Sequence, residues 1–523
     1  MKNLFSKALT FIVFGYITLV NCIVAADTMA CDSLMSQNFS SVPDAPAHLI
    51  STKLIKAEGV IPEYCRVIGY ISNNIGFEIH IPEHIWNKKV LMQGCGGFCG
   101  STNLITKCND AMARGYACVA SDLGHKSTPI DGKWAYNNPQ GEIDFYFRAT
   151  HATISVSKVI IQTYKGEAAE KSYFRGCSTG GRQGLISAQS FPKDFDGIIS
   201  GAPAGVGVAE GIHLIWSALA NIDKTGKQIL LPHKIPLLHN AVIRACDGLD
   251  GVQDGLISDP RQCTFDPADL QCRRRPADDC LTGPEVAVVR KIYAGASTPS
   301  GEKLYRATPM LGSELNWVPS YINELGKKSV YYNFGAEYFR YLAFAEDPGP
   351  SWLPEYFDFS NDPPRIGYNR HFNNAGNPNL RGFSRLGAKL IMYHGWADQS
   401  VPPLTSINYF SDVESLMHSS GGVESFLRLF MLPGVGHCGS GSKGPNQIDF
   451  LTALENWVEY DVPPSQLIAY KLKNIESSKP FVKFPVNNNH VQMSRPIYPY
   501  PAITKYVSGS TNTWSSFENS GPK

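Results

Sequence analysis

The stretch Gly176-Cys177-Ser178-Thr179-Gly180-Gly181-Arg182 decides how the rest of the chain is read. It has the Gly-x-Ser-x-Gly form of a nucleophile elbow. In such an elbow a strand turns sharply into a helix and lifts a serine hydroxyl above the sheet. The flanks agree: Tyr173-Phe174-Arg175 reads as the end of a strand, and Arg182 to Ala188 can open a helix. The glycines let strand and helix approach closely around a strained serine. The pattern alone is short enough to arise by chance. It gains meaning only with a histidine, an acid and an oxyanion hole in the right order.

Outward from the elbow, strands and helices alternate. Lys89-Val90-Leu91-Met92-Gln93 is a buried strand that ends at Gly94-Cys95-Gly96-Gly97-Phe98. Tyr116 to Ala120 is another, ending at Ser121-Asp122, and Arg148 to Tyr164 has helical apolar spacing. After the elbow comes Gly197-Ile198-Ile199-Ser200, ending at Gly201-Ala202-Pro203. This order implies a mostly parallel sheet covered by helices, with functional residues at the C-terminal strand ends. The rhythm breaks from about Val206 to Ser384, where Pro-, Gly- and Asn-rich segments separate apolar stretches. It resumes at Lys389-Leu390-Ile391-Met392-Tyr393 and again at Phe426 to Leu432, with a helix expected over Gln447 to Trp457. The expected class is therefore α/β: an α/β-hydrolase fold with a large inserted lid domain. The body occupies residues 27–205 and 385–523 and the lid residues 206–384. The polar tail from about Ser508 is expected to be loosely held.

The chain has 523 residues, 43% apolar and 18% charged, with a net charge of +1. Two domains suit that length. A balance so near zero gives no electrostatic case for nucleic acid as a partner. Lys2 and Lys7, the apolar run from Ala8 to Val20 and Val24-Ala25-Ala26 form a signal peptide over residues 1–26. The expected location is secreted or periplasmic, with no stable membrane partner. Cleavage after Ala26 removes Cys22 from the thirteen cysteines. The even remainder in an oxidising compartment argues for disulfides. Zinc at Cys95, Cys99 and Cys108 is the weaker reading, because no histidine has finger-like spacing.

Ser178, Asp398 and His437 follow in the chain order of the α/β-hydrolases, each just after an expected strand. A serine hydroxyl is a poor nucleophile at neutral pH. His437 must take its proton as a carbonyl is attacked, and Asp398 must hold the imidazole tautomer. The oxyanion hole needs two backbone donors. One is expected from Thr179, the other from Gly96 or Gly97. Cys177 precedes the serine and Cys438 follows the histidine, so a Cys177–Cys438 disulfide can staple the two loops. The rival reading, Cys177 as nucleophile, conflicts with that pairing.

The motifs Gly176 to Gln183, His394-Gly395-Trp396-Ala397-Asp398-Gln399 and Pro433-Gly434-Val435-Gly436-His437-Cys438-Gly439 together resemble the tannase and feruloyl esterase family. The resemblance covers nearly all of the mature chain. It implies an α/β-hydrolase body, a lid inserted after the strand that follows the nucleophile, and the Cys177–Cys438 bridge. Members of the family hydrolyse esters of aromatic acids, including gallate, ferulate and, in one branch, the half-ester of terephthalate. Cys246-Asp247-Gly248-Leu249-Asp250-Gly251-Val252-Gln253-Asp254-Gly255-Leu256 resembles the family's lid calcium loop. It implies Asp247, Asp250 and Asp254 as carboxylate ligands of a structural Ca2+, with carbonyls of Val252 and Leu256, and no organic cofactor. Cys246–Cys263 is then expected to clamp the loop, with Cys272–Cys280 nearby. The partners of Cys31, Cys65, Cys95, Cys99, Cys108 and Cys118 stay open. Near the C-terminus the chain has Tyr498 and about Asn519 where the family often has a cysteine pair.

These features point to an exported serine carboxylesterase that acts on esters of phenolic acids through an acyl-enzyme. Alternatives are a hydrolase of terephthalate-type half-esters, a peptidase with the same triad, and a non-catalytic aromatic-ligand-binding protein. Lid aromatics Trp216, Trp317, Tyr332, Tyr338, Phe339 and Trp352 are candidates for the pocket wall. Arg182 and Arg340 are candidates to meet a substrate carboxylate.

Overall fold

The computed structural model of the chain describes residues 29–206, 210–367, 370–418, 422–473 and 482–521. The expected signal peptide lies outside the described residues.

A nine-stranded sheet forms the body. Its strands are β1 (Ala47–Ile55), β2 (Tyr64–Ile71), β3 (Ile75–Pro82), β4 (Lys89–Gln93) and β5 (Ala117–Ser121), followed by β6 (Lys171–Cys177), β7 (Gly197–Gly201), β8 (Lys389–Gly395) and β9 (Leu427–Leu432). Their spatial order is β1-β2-β3-β5-β4-β6-β7-β8-β9. The strands from β5 to β9 run parallel, and β1 to β3 form an antiparallel meander at one edge. The parallel strands are buried on both faces, which is why they read as short apolar runs.

Helix Ala149–Lys165 covers one face with Ile154, Val156, Ile160 and Ile161. It stops at Gly166, whose φ of 73° is left-handed. Helix Phe450–Tyr460 covers the other face with Leu451, Leu454 and Trp457. Registry aligns the strand ends: Gln93 lies opposite Arg175, Gly201 opposite Cys177 and Tyr393 opposite Gly201. The loops after β4, β6, β8 and β9 therefore leave the same edge of the sheet. The order reverses at β4, so that edge includes the crevice where α/β sheets hold ligands.

Between β7 and β8 the chain leaves the sheet and builds a helical insert with its own apolar clusters. One centres on Leu238, Val289, Trp317 and Ile322, another on Ile215, Phe339 and Phe344. Beyond β9, β10 (Leu467–Leu472) pairs with β11 (Val491–Ile497), and β12 (Thr504–Tyr506) with β13 (Phe517–Asn519). The tail is thus not loose as expected. Thr504 pairs with Asn519, Phe517 is buried, and the Arg495 guanidinium lies 4.2 Å from the Phe517 ring. Polar composition hid a hairpin held largely by backbone hydrogen bonds.

Candidate active site

The elbow lies between β6 and helix Thr179–Ser190. Ser178 has φ 62° and ψ −123°, a conformation that costs energy for any residue with a Cβ. Its N–H donates to the Gly201 carbonyl at 3.0 Å, and its own carbonyl accepts from Arg182 and Ala204. Two neighbours must be glycine because of close approach. A Cβ at Gly176 would meet the Gly180 backbone at 2.5 Å, and one at Gly181 would meet the Gly201 carbonyl oxygen at 2.3 Å. Thr179 opens the helix, so its N–H has no intrahelical partner and points where the helix dipole favours negative charge.

Asp398 follows β8 and is fully buried. Its Oδ1 accepts the N–H groups of Ser400 and Val401 at 2.8 and 2.9 Å, and its Oδ2 lies 2.8 Å from His437 Nδ1. The β8 and β9 loops are joined by Trp396 N–H to the Leu432 carbonyl and Ala397 N–H to the Val435 carbonyl. His394 stands behind the pair, with Nε2 3.3 Å from Asp398 Oδ2 and Nδ1 2.8 Å from Ser406 Oγ. Burial pushes the Asp398 carboxyl up, but the adjacent His437 and His394 win and hold it well below the usual range. Burial likewise disfavours a charged His437, yet Asp398 pulls its pKa above the ordinary value, with Glu210 adding to the pull. Because Nδ1 faces Asp398, Nε2 is the nitrogen left for a proton from elsewhere.

Cys177 and Cys438 are disulfide-bonded, with Cα atoms 5.9 Å apart across 261 residues of sequence. The bridge sets the elbow beside the His437 loop. Among the described residues no hydrogen bond joins Ser178 Oγ to His437; the disulfide ties the loops that carry them. Catalytic hydrogen bonds are often long before substrate binds.

The turn after β4 completes this edge. Cys95–Cys99 closes it, and the Cys95 N–H donates to Gln183 Oε1 at 3.2 Å. Thr179 Oγ1 donates to the Gly97 carbonyl at 2.7 Å. Gly97 has φ +57°, and a Cβ there would meet the Pro129 carbonyl oxygen at 2.3 Å; one at Gly96 would meet nothing within 4 Å. The strained backbone accounts for glycine at 97, and open space borders 96. Phe98 next door stacks on Phe334 of the insert with ring centroids 4.3 Å apart.

Beside Thr179 a cavity of about 80 Å3 opens between body and insert. Its wall includes Phe98, Phe145, Tyr146, Phe334 and Tyr338, with Arg182 and Glu210 as charged groups. Tyr338 is the one proposed lid aromatic on this wall. Trp317 and Phe339 are instead wholly buried inside the insert. Arg340 is turned away: it pairs with Glu337 at 3.0 Å and donates to the Trp352 carbonyl. Core packing took Trp317 and Phe339, as it takes most large aromatics. Sequence reading missed His394 and Glu210. His394 had a usable signal, a histidine four residues before the acid at the end of a strand. Glu210 reads as an ordinary acidic residue in the first turn of a helix.

In the insert, Asp247 Oδ1 accepts the N–H groups of Asp254, Gly255 and Leu256 at 3.0–3.2 Å. Ser258 Oγ donates to Asp250 Oδ2 at 2.5 Å, and Asp254 pairs with Arg495 of β11. Burial pushes the carboxyls of Asp250 and Asp254 up, and the neighbouring aspartates push them further. Three hard-oxygen groups thus crowd one tight loop against a single arginine, a donor set of the calcium kind. Among the described residues no three acidic, His or Cys side chains already converge as a metal cage. Cys246–Cys263 and Cys272–Cys280 are both bridged. The pairs left open in the sequence are Cys31–Cys65, Cys95–Cys99 and Cys108–Cys118.

Parallel sheet, strained elbow serine and an insert after the following strand define an α/β-hydrolase with a large helical insert. The tannase and feruloyl esterase family pattern matches residues 59–344 and 367–520. The chain belongs to that family, and it is a carboxylic ester hydrolase. It is 31% identical to an uncharacterized esterase of Xanthomonas campestris, over 92% of this chain and 88% of that protein. It is 28% identical to the mono(2-hydroxyethyl) terephthalate hydrolase of Piscinibacter sakaiensis, over 95% and 92% of the two chains. The crystal structure of feruloyl esterase B from Aspergillus oryzae superposes with a TM-score of 0.77 at 26% identity, covering 94% of this chain and 99% of that one. Among the described residues no helix is long and apolar enough to cross a membrane.

Proposed function

We propose that the protein is an exported serine carboxylesterase that hydrolyses esters of phenolic acids, such as gallate or ferulate, through an acyl-enzyme. Ser178 attacks the ester carbonyl while His437 Nε2 takes its proton. The N–H of Thr179 and one from the Gly96–Gly97 turn stabilise the oxyanion. His437 then gives the proton to the leaving alcohol. Asp398 keeps Nδ1 protonated and stabilises the imidazolium. Water repeats the sequence on the acyl-enzyme and frees the acid. The observation that carries this reading is the strained Ser178, tied through Cys177–Cys438 to a histidine that is hydrogen-bonded to a buried aspartate. Family membership and the aromatic-walled cavity support an aromatic acyl group. The half-ester branch is kept as the second reading because of the similarity to the terephthalate half-ester hydrolase.

We also propose a structural Ca2+ held by Asp247, Asp250 and Asp254 with carbonyls of Val252 and Leu256. It would balance the loop's excess negative charge and take no part in the chemistry.

Purified mature protein should hydrolyse methyl gallate or methyl ferulate faster than a short p-nitrophenyl ester. In the Ser178→Ala variant kcat should fall by about 10^4-fold or more, with the fold kept. Turnover that survives in the variant removes the nucleophile assignment. Equal rates on every ester remove the phenolic one.

A further inference from the structure

The cavity beside Thr179 holds two charged groups to which the proposed chemistry assigns no contact with substrate. Arg182 is 5% exposed and lies against two aromatic rings, 4.4 Å from the Phe145 centroid and 4.6 Å from that of Tyr146. Among the described residues its side chain makes one long hydrogen bond, Nη2 to the Phe145 carbonyl at 3.4 Å. Nε is buried with no partner. No carboxylate among the described residues comes within ion-pair distance of it. A guanidinium keeps its charge, and a buried donor left unpaired costs on the order of 1–3 kcal/mol. A native fold tolerates such a group where a ligand completes it.

Glu210 begins the helix Glu210–Ala220 of the insert and stands on the same wall. Its Oε2 accepts the Gly205 N–H at 2.5 Å, which uses one of the carboxyl group's several lone pairs. Arg182 and Glu210 feel each other's field without touching. A donor from the body and an acceptor from the insert thus line one cavity, both beside Gly205.

We propose that Arg182 and Glu210 form a polar clasp for a ring hydroxyl of the substrate's aromatic group, donating to it from Arg182 and accepting from it at Glu210. The proposal rests on the phenolic-ester reading above and names what selects the phenol. A hydroxyl is both donor and acceptor, so it satisfies both groups at once. A ring carboxylate would satisfy Arg182 but face a second carboxyl at Glu210. An unsubstituted ring would leave both unmet, and sites built to bond a hydroxyl reject such analogues strongly.

The test compares kcat/KM for methyl 4-hydroxycinnamate, methyl cinnamate and monomethyl terephthalate in wild type, Glu210→Leu and Glu210→Gln. Wild type should prefer the hydroxylated ester to both others. The ratio of hydroxylated to unsubstituted should fall by about ten- to a hundredfold in Glu210→Leu, and by less in Glu210→Gln, which keeps an acceptor. The ratio is the readout because a general loss of folding or of His437 basicity lowers both rates together. A second arm measures binding of the free acids, 4-hydroxycinnamate against cinnamate, to Ser178→Ala and to Ser178→Ala/Glu210→Leu by calorimetry. The same fall in the affinity ratio is expected. An unchanged ratio in both arms overturns the clasp, as does a wild-type preference for the terephthalate half-ester. If no ester is turned over, the function reading falls, and the binding ratio still decides the clasp.

Discussion

The loops at one edge of the body's sheet and the insert packed against them are built by different means. On the body side, positions are fixed by backbone. Ser178 is held through the Gly201, Arg182 and Ala204 amides and carbonyls, Asp398 through the amides of Ser400 and Val401, and the elbow through a disulfide to the His437 loop. On the insert side the contacts are side chains. Asn316 Nδ2 donates to the Ala397 carbonyl at 2.9 Å, Tyr321 to the Gln399 carbonyl, and Tyr331 bonds Ser400, while Phe334 stacks on Phe98. Three of these tethers land on residues 397–400, so the insert braces the loop that carries the acid. The difference follows from what each part must do. Reacting atoms need geometry held to fractions of an ångström, which rigid strand ends supply. A wall that recognises a ring can be rebuilt by exchanging side chains.

The largest expected effect tests the body side alone. Asp398→Asn should lower kcat by about 10^4-fold, because an amide stabilises the wrong imidazole tautomer. KM should change little, since the aromatic wall is untouched. The pH profile sharpens the point. His437 must be neutral to act as base, and its pKa lies above the ordinary value near 6.5. The acid limb of wild-type kcat/KM should therefore have its midpoint above about pH 6.5, with activity lost as pH falls through it. In Asp398→Asn the main upward pull is gone, and the midpoint should move down. A midpoint that stays put would mean that another group controls the limb. A large rise in KM would mean that acid loop and binding wall are not separable.

A smaller effect compares one disulfide from each region. Cys177→Ser/Cys438→Ser should cost about 2–5 kcal/mol and several degrees of Tm. It should also lower kcat, because Ser178 and His437 lose the covalent tie between their loops. Cys272→Ser/Cys280→Ser removes a bridge spanning eight residues within the insert. It should cost less and leave kcat on a small p-nitrophenyl ester intact. Thermal melts and initial rates on both variants decide it. Equal losses of kcat would end the claim that the body bridge serves the chemistry.

The same division governs how much could be read from sequence. β4 to β9 were legible because parallel strands buried on both faces are short apolar runs, and the residues after them form the motifs assigned to the proposed chemistry. β1 was not: Ala47–Ile55 mixes exposed and half-buried positions along an edge, so no clean period shows. The C-terminal hairpins escaped because pairing, not composition, holds them. Asp398 and His437 stood out through their neighbours. Glu210 did not, since the cavity it lines is completed by Arg182, Phe334 and Tyr338, none near it in sequence. Side-chain walls assembled from distant segments leave no local pattern.

The smallest effect belongs to the proposed calcium, and it probes the insert without altering a residue. The Asp247–Leu256 loop is bonded to Arg495 of β11, so it also ties the insert to the C-terminal strands. An ion bound at a hundred times its Kd stabilises by about 2.7 kcal/mol. In a chain of this length that corresponds to only a few degrees in Tm. Prolonged EDTA treatment should lower Tm by that amount, and added Ca2+ should restore it, with elemental analysis finding one calcium per chain beforehand. Activity below the melt should persist, because no reacting group touches the loop. Asp250→Asn should reproduce the shift and make it insensitive to EDTA. If wild-type Tm ignores EDTA and no calcium is found, the Arg495 pair and backbone amides alone hold the loop. If activity falls before Tm does, the insert reaches the chemistry more directly than its side-chain contacts imply.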